Sequence, residues 1–301
     1  MSDDFARRLA RHAHTVEACL TDALANNDAR VPSRLAEAMR HGVLAGGKRL
    51  RPFLVIETAG LYGVPPETAA YSAAALECVH CYSLVHDDLP AMDNDLVRRG
   101  RPTVWAAYDE WTAILAGDAL LTLAFEILSR PEAAEDAERR VRLVAALARA
   151  SGAAGMVGGQ ALDLAADKLG DPSQPDEAHV RRLQAMKTGA LIAHGVEAGA
   201  ILGAASNVEA AALADYGQAL GLAFQIADDL LDAEGDATVV GKATAKDAAA
   251  GKATLVSLRG VEAARAELAQ TVQRAVVALD GFGARADALR AAARFVAERQ
   301  S

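Results

Sequence analysis

The sequence is poor in cysteine, proline and aromatic side chains, and positive charge is not in excess. Three cysteines in 301 residues, Cys19, Cys78 and Cys81, are too few, and odd in number, for a secreted disulfide framework. Nine prolines and an aromatic content of 4% argue against a β-sandwich or barrel, whose strands draw on aromatic and β-branched residues. A net charge of −9 gives no global field to attract nucleic acid, so that partner class is disfavoured. A local anion site remains compatible with overall acidity. The opening MSDDFARRLARHAHTVEACL has no apolar signal core, and no apolar stretch reaches the roughly 18 residues needed to span a bilayer. The expectation is a cytoplasmic protein with no membrane partner.

What the chain has is apolar and helix-forming. Hydrophobic residues make up 52% of it, and alanine is abundant, so the expected class is all-α. Helical periodicity recurs near 4–26, 33–45, 49–61, 67–89, 103–129, 132–165, 177–204, 208–233 and 254–298, the last as several helices. Breaks fall at Gly46-Gly47, Gly63 to Pro66, Gly100 to Pro102 and Gly170 to Pro175. Asp176 stands as a start signal for one helix, and Ser129 with Pro131 for another. With no linker and no repeat, 1–301 reads as one domain, a single-domain bundle of about ten helices. Residues 234–253, EGDATVVGKATAKDAAAGKA, stand apart as a glycine- and lysine-containing flap.

Two aspartate clusters carry the chemistry. Asp87-Asp88-Leu89-Pro90-Ala91-Met92-Asp93 closes an apolar helix, and Asp228-Asp229-Leu230-Leu231-Asp232 lies inside another. At 100° per residue, Gln225, Asp228, Asp229 and Asp232 fall within about a 100° arc. Pro90 lacks an N–H and clashes with the preceding turn, so the first helix ends there and Asp93 returns toward Asp87 through a bend. Like charges about 4 Å apart repel by roughly 4 kcal/mol at an effective dielectric of 20. A helix C-terminus adds an unfavourable dipole. A hard cation removes both penalties, and all-oxygen ligation suits Mg²⁺, which also binds phosphate oxygens.

Cations to complete a diphosphate site are present. GGKRLRP (46–52) sets Lys48, Arg49 and Arg51 around a helix break, Arg98, Arg99 and Arg101 follow the first acidic cluster, and Lys187 and Lys242 add two more. Gly42 to Lys48 has P-loop spacing, but Arg49 stands where Ser or Thr should hold the metal and a helix precedes it, so a P-loop is rejected. Cys78 and Cys81 have CxxC spacing without a second ligand pair, so they read as buried thiols rather than a zinc site. His86 and His194 read as helix-face residues with hydrogen-bond partners.

In this combination the chain resembles the trans-isoprenyl diphosphate synthase (polyprenyl synthetase) family, bacterial farnesyl diphosphate synthase type. The motifs are GGKRLRP (46–52), LECVHCYSLVHDDLPAMDND (76–95), LVRRGRPT (96–103), GDALL (117–121), GGQALDL (158–164), KTGALI (187–192) and GLAFQIADDLLD (221–232). The resemblance implies an all-helical fold around a deep central cavity, a homodimer, and Mg²⁺ as cofactor with Mn²⁺ as a substitute. It implies metal binding by Asp87, Asp88, Asp93, Asp228, Asp229 and Asp232. It places Arg98, Lys187, Thr188, Gln225 and Lys242 around the allylic diphosphate, and Gly47, Lys48, Arg51, His80 and Arg99 around isopentenyl diphosphate.

The implied reaction is head-to-tail condensation of isopentenyl diphosphate with dimethylallyl and then geranyl diphosphate. Chain length would be set by Tyr82 and Ser83, a turn or so deeper than Asp87; Tyr82 lies about 7.5 Å back along the axis. An aromatic at that position goes with a C15 product, so farnesyl diphosphate is expected. Geranyl or geranylgeranyl diphosphate synthesis is the alternative, and a non-catalytic helical partner subunit is the rival of another class. A terpene cyclase is disfavoured because its second metal motif mixes Asn, Ser and Glu. Two departures from the family pattern stand out: Asn94 where many relatives carry aspartate, and Ala245 near where a second flap glycine is frequent.

Overall fold

The structure, a computed structural model, describes residues 3–25, 30–234 and 253–298. Most of the expected flap, 235–252 with Lys242, lies outside the described residues. The helices are α1 (Asp3–Ala25), α2 (Ser33–Val43), α3 (Leu50–Gly60), α4 (Pro66–Asp87), α5 (Val104–Ala107), α6 (Glu110–Ser129) and α7 (Ala137–Ser151). There follow α8 (Met156–Leu164), α9 (Glu177–Gln184), α10 (Ala190–Leu202), α11 (Asn207–Glu234), α12 (Leu255–Arg259), α13 (Val261–Ala278) and α14 (Asp287–Glu298). π turns at Ala165–Leu169 and Ala185–Gly189 extend α8 and join α9 to α10. Among the described residues the only strands are β1 (Val97–Arg98) and β2 (Arg101–Pro102), paired antiparallel. The all-α expectation holds.

Contacts divide the chain into two compact units. One comprises residues 6–145 with 201–204, and the other takes the remainder. In the first unit α4 packs against α6, α3 and α2. Its buried residues run around its whole circumference, from Ala69, Ala70 and Ala73 to Val79, Tyr82 and Val85, as a central helix requires. In the second unit α11 packs against α13, α14, α12 and the Ala185–Gly189 turn. Tyr216 of α11 is fully buried, and its hydroxyl donates to the Leu289 carbonyl at 2.7 Å.

Start signals follow local chemistry. Asp176 caps α9 by accepting from the His179 amide at 2.8 Å, as expected. Asp109 caps α6 in the same way, accepting from Thr112 N at 2.8 Å. That cap divides the interval 103–129, which reads as one helix in the sequence, into α5 and α6. The interval 132–165 is likewise broken, into a short 3-10 turn, α7 and α8.

Two stretches, Glu110–Ser129 and Ala137–Leu169, are long and apolar enough to cross a membrane by length and composition. This corrects the expectation that none would be. The expectation counted unbroken apolar runs, and Asp118 and Glu126 interrupt the first stretch. Half of the apolar window in α6 is buried within the protein, as in a core helix.

Candidate active site

In the first unit, α4 stops at Asp87 and the chain turns back on its end. The amides of Asp93, Asp95 and Asn94 donate to the carbonyls of Asp87, Asp88 and Leu89 at 2.9, 3.1 and 3.1 Å. These bonds satisfy acceptors that a helix end otherwise leaves open. They bring Asp93 back to Asp87, as the position of Pro90 predicts. Asn94 has φ +54°, a left-handed conformation that asparagine tolerates better than most residues.

Asp88 is 3% exposed, and Arg98 answers its charge: Nε and Nη2 both donate to Oδ1, at 2.7 and 2.6 Å. Burial pushes the Asp88 carboxyl above the usual carboxylate range, while Arg98 pulls against it. Arg98 is presented by the β1–β2 hairpin, whose turn residues Arg99 and Gly100 have φ +53° and +73°. That turn geometry, rare for arginine, reverses the chain in two residues. It also sends Arg99 back across Gly47, where its Nη1 donates to the Gly46 carbonyl.

The cations do not all serve one purpose. Arg49, at the start of α3, is fully buried; its guanidinium pairs with Glu77 of α4 and donates to the Val43 carbonyl at 2.6 Å. It is therefore withdrawn from the ligand-facing set suggested by GGKRLRP and instead ties that loop to α4. Lys48 and Gly47 are exposed. Arg51 Nη1 lies 3.4 Å from His80 Nε2, so Nε2 acts as the acceptor and Nδ1 carries the proton. Burial, reinforced by the guanidinium groups of Arg51, Arg99, Arg49 and Arg98, holds His80 well below its ordinary pKa. It is a neutral imidazole among cations. A pocket lined by His41, Leu84, Asp88, Arg98, Arg99 and Arg101 opens beside this cluster. Tyr82 is buried, and the Ser83 hydroxyl donates to the His80 carbonyl at 2.8 Å.

In the second unit α11 presents Gln225, Asp228, Asp229 and Asp232. Asp228 is exposed, Asp232 and Gln225 are half-buried, and Asp229 is buried. Asp229 Oδ2 accepts from Gln184 Nε2 at 2.9 Å and from the Leu255 amide at 3.1 Å. Lys187 and Thr188 sit on the Ala185–Gly189 π turn, a distortion often found at functional sites. Lys187 Nζ donates to Asp163 Oδ2 at 2.6 Å. The α8 backbone abuts that turn at Gly159, where a Cβ would lie 2.2 Å from Lys187 N.

Three residues here were not singled out from the sequence. Gln184 and Asp163 hold Asp229 and Lys187, while Gln160 is buried with both amide atoms lacking a hydrogen-bond partner among the described residues. Such an orphan costs about 1–3 kcal/mol. The available signal was the GGQALDL motif, which places Gln160 and Asp163 three apart, on one helix face.

Among the described residues no three His, Cys, Asp or Glu side chains gather around one point. The second aspartate of each pair, Asp88 or Asp229, is engaged by protein donors. This arrangement does not form a closed protein cage. It does fit a hard cation that takes one or two carboxylates and fills its shell with water and phosphate oxygens, as Mg²⁺ does. Cys78 and Cys81 are buried; burial, with Glu77 nearby, pushes the Cys81 thiol up to about 12.

The family profile described as polyprenyl synthetase matches residues 32–285. The chain is 46% identical to farnesyl diphosphate synthase of Escherichia coli over 258 residues, 83% of this chain and 85% of that one. It is 39% identical to the chloroplastic geranylgeranyl pyrophosphate synthase of Catharanthus roseus, covering 91% and 74% of the two chains. A solved FPP/GFPP synthase from Zymomonas mobilis superposes with a TM-score of 0.88 at 44% identity, covering 99% of this chain and all of that one.

Proposed function

The chain belongs to the polyprenyl synthetase family, and from that premise we propose that it condenses isopentenyl diphosphate with dimethylallyl and then geranyl diphosphate to make (2E,6E)-farnesyl diphosphate. The observation that carries this reading is the end of α4. There a folded-back aspartate loop, the Asp88–Arg98 pair and a neutral His80 ringed by guanidinium groups share one compact unit. Carboxylates that can hold metal beside guanidinium groups that can hold phosphate suit the handling of a polyanion with a divalent cation. On this reading residues 1–301 act as one prenyl diphosphate synthase domain.

Bound Mg²⁺, or Mn²⁺ in its place, would supply positive charge against the diphosphate as the allylic C–O bond breaks. Asp87 and Asp93 at the end of α4, and Asp228 and Asp232 on α11, would hold such ions, while Asp88 and Asp229 are the members committed to Arg98 and to Gln184. Arg98, Lys187, Thr188 and Gln225 would hold the leaving group in place, with Lys242 assigned there on motif alone. Lys48, Arg51 and Arg99 would bind isopentenyl diphosphate, with His80 as a neutral hydrogen-bonding group beside Arg51. Apolar helix walls would exclude water from the allylic cation until the isopentenyl double bond attacks C1. The departing diphosphate would take the proton whose loss completes the product.

Two further parts of the reading have physical support. Trp111, Ile114 and Leu115 form an exposed apolar stripe on α6 at i, i+3, i+4 spacing, suited to a second copy in a homodimer. Buried reduced thiols suit a cytoplasmic setting.

The test is chromatography of the dephosphorylated product from labelled isopentenyl diphosphate and either primer, with Mg²⁺ and with a chelator. A C15 alcohol in the first arm and none in the second is expected. Asp87→Asn or Asp228→Asn should cut kcat by on the order of 10²–10³. Absence of any prenyl product would favour the non-catalytic subunit.

A further inference from the structure

Gly117 lies inside α6, where no turn calls for glycine and where alanine would favour the helix by roughly 0.5–1 kcal/mol. The ring of His86 explains it. A Cβ at Gly117 would stand 2.1 Å from His86 Nε2 and 2.4 Å from its Cδ2. The imidazole therefore occupies the space that any other side chain would fill. Nε2 is 3.0 Å from the Ile114 carbonyl, an acceptor only, so Nε2 carries the proton and donates. Asp118 Oδ1 lies 3.8 Å from the same nitrogen.

On α4, His86 follows Tyr82 by one turn. The two rings meet edge to face, with centroids 5.7 Å apart and planes at 81°. This is the favoured geometry for an aromatic pair.

We propose that His86 is a positioning residue for product length: seated in the Gly117 notch and bonded to Ile114, it fixes the Tyr82 ring as the floor of the chain-elongation cavity. The inference rests on the farnesyl reading and on Tyr82 as that floor. Tyr82 has two side-chain torsions with which to move aside. His86 blocks one flank, and it holds its place only because α6 offers both a carbonyl and the missing side chain. Removing His86 opens a space beside Tyr82. Adding a methyl at Gly117 drives the imidazole out of its seat and off the Ile114 carbonyl, so it no longer braces Tyr82. Either change lets the ring leave the floor, and a C20 chain then fits.

The experiment is the C15 to C20 product ratio of wild type, Tyr82→Ala, His86→Ala, Gly117→Ala and the His86→Ala/Gly117→Ala double variant. The ratio is taken per product formed, so partial unfolding lowers yield without raising the C20 share. Tyr82→Ala should give mainly C20. His86→Ala and Gly117→Ala should each raise the C20 share about fivefold, the factor that corresponds to about 1 kcal/mol. The double variant should match His86→Ala, because the added methyl then meets an empty notch. If Tyr82→Ala lengthens the product while both single variants stay at the wild-type ratio, the positioning role is overturned with the farnesyl reading intact. If Tyr82→Ala itself leaves C15 unchanged, the floor assignment fails and takes this proposal with it. If wild type makes no prenyl product, the functional reading has failed instead.

Discussion

His80 is a histidine kept from charging by its neighbours. Burial lowers its pKa, and the guanidinium groups of Arg51, Arg99, Arg49 and Arg98 lower it further. The unfolded chain takes a proton there below about pH 6.5, while the folded chain refuses it. The contribution to stability is therefore complete above that value and is lost as pH falls toward the depressed folded pKa. Urea midpoints measured from pH 7.5 down to 5 should show a slope of up to about 1.4 kcal/mol per pH unit from this group. His80→Gln should flatten it. An identical acid limb in the variant would mean that the four arginines do not act on His80 in this way. Chemistry at this scale is only half legible in the sequence. The resemblance implies His80 and Arg51 as partners of one ligand, but whether His80 carries a charge depends on arginines from two separate segments.

At the scale of elements, the clearest sequence signals were the local ones. Pro90 ends α4 because it has no N–H, and the next amides return to the helix carbonyls. Asp176 caps α9 by its own carboxylate. Other features left no usable trace. β1 and β2 have two residues each, too few for an alternating pattern to register. The π turns shift the helical phase over five residues, below the window in which a 3.6-residue period is resolved.

The π turn that carries Lys187 nonetheless makes a demand on its neighbour. Gly159→Ala would press a methyl onto the Lys187 backbone, costing about 1–3 kcal/mol of overpacking. Thermal unfolding should fall accordingly, and KM for geranyl diphosphate should rise more than KM for isopentenyl diphosphate. Equal rises in both constants would argue against a specific link between this contact and the allylic site.

For the molecule as a whole, the apolar stripe on α6 leads to a prediction about assembly. Trp111, Ile114 and Leu115 are 59%, 44% and 46% exposed, on one face of a helix whose other face is core. Burying a leucine is worth about 1.5–3 kcal/mol, and a two-fold interface counts each residue twice. Wild type should sediment as a dimer and Leu115→Glu as a monomer or a weakened dimer. A wild type that sediments as a monomer at assay concentration would remove the second copy from the reading.

The sequence by itself determined the helical class, the aspartate motifs and the proposed pairing of metal with diphosphate chemistry. Those follow from residue type and short-range spacing, and a helix or a proline acts within a few positions of itself. Only the tertiary structure decided which charge answers which. Arg49, bracketed by Lys48 and Arg51 in one motif, turns inward to Glu77, 28 residues away. Arg98 is committed to Asp88, and His86 fills a gap at Gly117. Each of these pairings is a contact between separate elements, and its energy depends on burial that no local stretch of chain specifies.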